Sequence, residues 1–208
     1  MKYFVVLITL LISKLCPAQE HLEPVDSVYS RLPVLIEYHL FVTRAFRAAH
    51  DQNVLLKVVI LPSFYPESVL YIEKRQSTYS LVHLEAEQQY WLIYDDKPDV
   101  TPTEKCRIDI ENSFATDLEK IWHTELFNTK HSREFRLGMD GTSYYFSTPI
   151  KQLSQGNSLP RMTGEIWSPE ENTRMALLEN LVLVLVNYCT DGKNLQNMKK
   201  SVHDLLPE

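Results

Sequence analysis

Between Val54 and Tyr94 the chain carries strand-like runs joined by links too short for anything except antiparallel pairing. Val54 to Leu61 is a branched apolar run stopped by Pro62, the pattern of a central strand. Val69 to Arg75 and Tyr79 to Glu87 follow, separated by Gln76, Ser77 and Thr78, a hairpin-length connection. In the second of these, Tyr79, Leu81, His83 and Glu85 share one face, and Ser80, Val82, Leu84 and Ala86 share the other. Tyr90 to Tyr94 reads as a further strand. A parallel pair needs a crossover of about a dozen residues or more, which none of these links provides.

Helical spacing brackets this region. Val34, Tyr38, Val42, Ala45, Phe46 and Ala49 mark an amphipathic helix over 34–50. Phe114, Leu118, Ile121, Trp122 and Leu126 mark a second over 114–129, with Asn112 and Ser113 placed to cap it. A third, over 170–190, begins at Ser168-Pro169-Glu170-Glu171, carries apolar residues on every face and ends at Gly192. A weak terminal helix spans Leu195 to Leu206. Arg107 to Glu111 alternates like an edge strand, and Glu165 to Trp167 reads as a last short strand. The Asp140-Gly141 pair places a tight turn inside 135–146, which reads as a β-hairpin. The fold class is therefore α+β: an antiparallel sheet of about five to seven strands packed against three main helices. One domain accounts for 19–208, with 19–33 and 150–163 expected to be loosely ordered.

The N-terminus is an export signal by pattern. Lys2 precedes an apolar run from Tyr3 to Ile12, too short for a bilayer that takes roughly 20 apolar residues. Cys16-Pro17-Ala18 puts small residues at the cleavage positions, so the mature chain is expected to begin at Gln19, exported to the periplasm or the medium. Acylation of Cys16 is the rival; Lys14 and Leu15 before it do not suit a lipid-attachment signal. The formal charge of −6 becomes more negative once Lys2 and Lys14 leave, which disfavours nucleic acid as a partner. Of the three cysteines, Cys106 and Cys189 remain, a candidate disulfide in an oxidising compartment. No Asn-x-Ser/Thr sequon occurs, which points towards a bacterial source. No second apolar stretch is long enough for a transmembrane helix in the mature chain.

Three segments carry a resemblance: Pro62-Ser63-Phe64-Tyr65-Pro66-Glu67, Gly138 to Phe146, and Trp167-Ser168-Pro169. Together they resemble a family of small exported bacterial proteins of no assigned activity. The resemblance implies an envelope location and lends no catalytic residue.

Chemistry-bearing motifs are sparse. With five glycines, the chain has no phosphate loop, dinucleotide fingerprint or nucleophile elbow, and no His-Glu-x-x-His. His83 and Glu85 on one strand face, with His123 and His131, are the candidate zinc or copper ligands, but they lack clustered ligand spacing, and no metal or other cofactor is assigned. Asp95, Asp96, Asp109, Glu111 and Asp140 are the carboxylates from which a glycosidase pair would be drawn. Phe64 and Tyr65, in a loop stiffened by Pro62 and Pro66, together with Tyr145 and Trp167, form the candidate binding residues, because aromatics on rigid loops serve as anchors. The reading is a non-catalytic exported binding or interaction protein of the bacterial envelope, whose partner is another protein, an immunity-type pairing included. The alternative is an envelope hydrolase acting on glycan or peptide.

Overall fold

A computed structural model describes residues 19–25, 33–96, 99–131, 140–150, 160–192 and 195–206. The leader at 1–18 with Cys16, and the stretches 26–32, 132–139 and 151–159, lie outside the described residues. The strands are β1 (Val54–Pro62), β2 (Ser68–Arg75), β3 (Thr78–Glu85), β4 (Thr103–Ile110), β5 (Thr142–Pro149) and β6 (Arg161–Trp167). They form one antiparallel sheet in the order β4-β3-β2-β1-β5-β6. Helix α1 (Pro33–Ala45), continued by a 3-10 turn at Arg47–His50, covers one face. Helices α2 (Asn112–Phe127), α3 (Arg174–Asp191) and α4 (Leu195–Leu205) cover the other. The fold is α+β with a six-stranded sheet, as the sequence indicates.

Strand β1 sits inside the sheet with a helical layer on each side, which explains its lack of a polar face. A bulge between Val54 and Leu56 turns Val54 towards α1 while Leu56, Val58 and Ile60 face the larger helical layer. There they meet Leu118, Ile121 and Trp122 of α2 and Leu178, Leu181 and Leu185 of α3. Each such side chain contributes about 1.5–3 kcal/mol when fully buried. Glu125 of α2, itself buried, pairs with Arg174 at 2.6 Å, and Arg174 donates to the Leu205 carbonyl at 2.8 Å, so one ion pair joins all three helices. Cys106 on β4 is bonded to Cys189 on α3. The β2–β3 turn is closed by Gln76 at φ 55°, the left-handed value a two-residue hairpin link demands.

Several local expectations are corrected. Tyr90–Leu92 and Tyr94–Asp96 are 3-10 turns and not a strand, because the buried Glu67 carboxylate accepts the Tyr90 and Trp91 N–H groups. The α2 N-cap is Glu111, without a side-chain bond, and not Asn112 or Ser113. Helix α3 starts at Arg174, capped by Thr173 Oγ1, which accepts from Ala176 N at 3.0 Å. Ser168 instead closes the end of β6 by exchanging bonds with Thr142. Helix α3 is not apolar-buried all round: Leu177 and Leu183 are exposed. The first arm of the expected 135–146 hairpin lies outside the described residues; its second arm belongs to β5, which is paired with β1 and β6. At the start of the domain, residues 19–25 are packed: Glu23 pairs with Glu165 on β6, and Leu22 is buried. Residues 161–163, expected to be loop, belong to β6.

Candidate functional site

Helix α1 presents two stripes to the sheet. Tyr38, Phe41, Val42 and Ala45 enter the smaller apolar cluster, with Val69, Tyr71, Val82 and Leu84. Ile36, His39, Leu40 and Thr43, one step round the helix, line a cavity of about 340 Å³. Its floor is Lys57 and Val59 of β1 with Tyr145 and Ser147 of β5, and Val25 and Thr163 complete one side. Ile36 and Leu40, which line it, are 40 % and 58 % exposed. Dense interiors leave few voids larger than a water molecule, and this volume lies within the ~300–1,000 Å³ range of small-molecule sites.

One corner of the cavity is cationic. Lys57 is 6 % exposed, with Nζ 3.0 Å from Nδ1 and 3.2 Å from Nε2 of His50. Burial, and then the nearby Arg161 guanidinium, bring the Lys57 pKa down to about 7. Burial, with Lys57 and Arg161 adding repulsion, also lowers His50, so its ring is a neutral acceptor for the Lys57 ammonium. Arg161 stands behind Ser147: Nε donates to Ser147 Oγ at 3.3 Å and Nη1 to the Val54 carbonyl at 3.1 Å. Its Nη2 is buried and, among the described residues, has no hydrogen-bond partner. Across the cavity, His39 meets the Tyr145 ring edge-on at 5.1 Å, and burial lowers its pKa.

The residues singled out from sequence divide into two places. Phe64 and Tyr65 are 69 % and 72 % exposed in the β1–β2 loop. Ser63 ties that loop to the turn before β5, donating from N and Oγ to the Gly141 carbonyl at 2.9 Å. Gly141, at φ 147°, leaves the space that the Trp167 indole and Ser168 fill. The Phe64–Tyr65 loop, the Asp140–Gly141 turn and Trp167 therefore share one end of the sheet. Tyr145 is not with them: it lies further along β5, buried, as part of the cavity floor.

The remaining candidates are dispersed. His83 is buried on β3 opposite Cys106, and among the described residues both its ring nitrogens lack hydrogen-bond partners; burial lowers its pKa. His123 lies on α2 facing Glu119, and His131 is exposed beyond the helix. Among the described residues no group of three or more His, Cys, Asp or Glu side chains is placed to hold a metal. Asp109 accepts from Ser80 at the hairpin end of the sheet, Glu111 caps α2 beside it, and Asp140 lies at the opposite end. Asp95 and Asp96 sit exposed in a 3-10 turn.

Sequence reasoning missed Lys57, His50, Arg161 and the Ile36–Leu40 stripe. The available signal was Lys57 itself, the one charge inside an apolar central strand. No protein family, curated protein or solved structure matches this chain. Among the described residues no helix is long and apolar enough to cross a membrane.

Proposed function

We propose that this chain is a non-catalytic binding protein of the bacterial envelope, exported by its N-terminal leader, whose ligand is a small, largely apolar molecule. The observation that carries this reading is the cavity between α1 and the sheet, walled by Ile36, Leu40 and Val59. Filling it would remove from water the apolar surface that Ile36 and Leu40 expose, worth about 25 cal/mol per Å². The neutral dye N-phenylnaphthylamine tests it. Saturable, one-to-one fluorescence enhancement is expected, and Val59→Phe, which fills the floor, should abolish it while the protein stays folded. Absence of saturable binding would end this reading.

A second reading, binding of another protein in an immunity-type or similar pairing, is favoured by the exposure of Phe64 and Tyr65. Alanine at an interface anchor weakens binding by about 2 kcal/mol or more. Phe64→Ala and Tyr65→Ala should then weaken a co-purifying partner without lowering the melting temperature. Unchanged affinity in both variants would remove this reading.

A further inference from the structure

Resting on the small-molecule reading, we propose that the ligand ends in a single carboxylate, which docks on Lys57 while its apolar body lies against Ile36, Leu40 and Val59. The cavity offers, among the described residues, cations and neutral dipoles but no acid: beside Lys57 its polar lining is His39, His50, Thr43, Ser147, Tyr145 and Thr163. Among the described residues no carboxylate forms an ion pair with Lys57 or Arg161, although Lys57 is buried and Arg161 half-buried with its Nη2 out of reach of water. A buried charge ordinarily has a counter-ion, since an unpaired one carries a desolvation penalty of several kcal/mol. An incoming carboxylate supplies that counter-ion. A neutral ligand would leave the ammonium unpaired, and an amine would be repelled by Lys57 and Arg161 together. Among the described residues one lysine lines the cavity, with Arg161 one side chain behind it, so a single negative charge is the match.

The groups facing Lys57 are His39 and His50 from the helical side, Tyr71 on β2, Tyr145 on β5 and Arg161 on β6. Of the described acids on this sheet face, Glu73 is paired with Arg75 and Arg107, and Glu165 lies opposite Tyr145, two residues along β6 from Thr163 and at the far end of the cavity floor from the Lys57–Ser147 pair. Because burial holds Lys57 near neutrality, the site takes up a proton as the anion arrives.

Calorimetry with decanoate and decanol, in buffers of different ionisation enthalpy near pH 7.5, separates the possibilities. Decanoate should bind about tenfold or more tighter than decanol, as one charge-assisted bond allows, with net proton uptake. Lys57→Met and Lys57→Gln should bring the two affinities together; the comparison on the unaltered protein stands without either variant. Equal affinity for decanoate and decanol in the unaltered protein would overturn the carboxylate and leave the cavity a binding site. Failure of both ligands and of N-phenylnaphthylamine to bind would overturn the cavity reading as well.

Discussion

Tyr38 on α1 donates its phenolic proton to Oε1 of Glu67, 2.6 Å away, at the start of β2. The same carboxylate receives the N–H groups of Tyr90 at 2.6 Å and Trp91 at 3.1 Å. Glu67 is fully buried, so these three donors replace the water it has lost. The rings gather round it: Tyr38 meets Trp91 edge-on at 5.0 Å, and Trp91 stacks on Tyr94 at 5.3 Å. One acid thus fixes α1 to the sheet and folds 90–96 into turns beneath it.

Glu67→Ala should therefore lower stability by about 3–5 kcal/mol, since a buried phenol and two amides lose their acceptor. Tyr38→Phe should cost about 1–2 kcal/mol. Urea unfolding of both single variants and the double variant measures the coupling. Additive losses would show that the pair does not act as a unit.

Lys57 gives a pH-dependent outcome. Its folded pKa of about 7 lies below the ordinary 10.5, so the folded state favours the neutral amine. As pH falls from 10.5 towards 7, the unfolded chain takes up a proton that the folded chain does not, and stability falls across that window. Lys57→Met should therefore be the more stable protein at pH 7, by on the order of a few kcal/mol. The gap should narrow as pH rises towards 10.5, where the unfolded lysine begins to lose its proton as well. Melting temperatures of the two proteins from pH 7 to 10 give the difference; a constant gap would contradict the assignment.

The Cys106–Cys189 bond closes a loop of 83 residues between an edge strand and α3. By the chain-entropy argument, Cys106→Ala/Cys189→Ala should lose about 4–5 kcal/mol. Denaturant titration with and without reductant checks this. The reductant should shift the midpoint of the unaltered protein alone.

Gly164 on β6 admits the 19–25 segment. A Cβ there would lie 2.9 Å from Leu22 Cβ and 3.2 Å from Leu126 Cδ2. Gly164→Val should lift Leu22 off the sheet, at roughly 1–3 kcal/mol for overpacking. Faster proteolysis near 19–25, with the rest of the domain intact, is the expected signature.

The parts of the fold that the sequence shows are those with local causes. Alternation in Tyr79–Ala86 and the short link at Gln76 define the β2–β3 pairing without outside help. The Tyr90–Tyr94 turn was illegible because its cause, Glu67, lies 23 residues away from Tyr90. Ser168-Pro169 has the composition of a helix start, yet Ser168 is drawn to Thr142 across the sheet, and Thr173 takes the cap. The site was less legible still. Phe64 and Tyr65 are conspicuous in sequence and exposed in the fold, whereas Lys57 gains its meaning from α1 lying across it and from Arg161 on a strand far along the chain. Tyr145, chosen as a loop-end anchor, is a wall of the cavity for the same reason.

The sheet is a partition: the cluster under α1 and the cluster under α2, α3 and α4 have no residue in common. The disulfide and the Glu125–Arg174 pair both brace the larger layer, while α1 is held by Tyr38 and its apolar stripe. Such an arrangement sets up two units of unequal local stability. Amides of Phe41 to Ala45 should exchange with deuterium through a subglobal opening in which α1 lifts from a sheet that stays formed, while those of Leu181 to Leu185 exchange only with global unfolding.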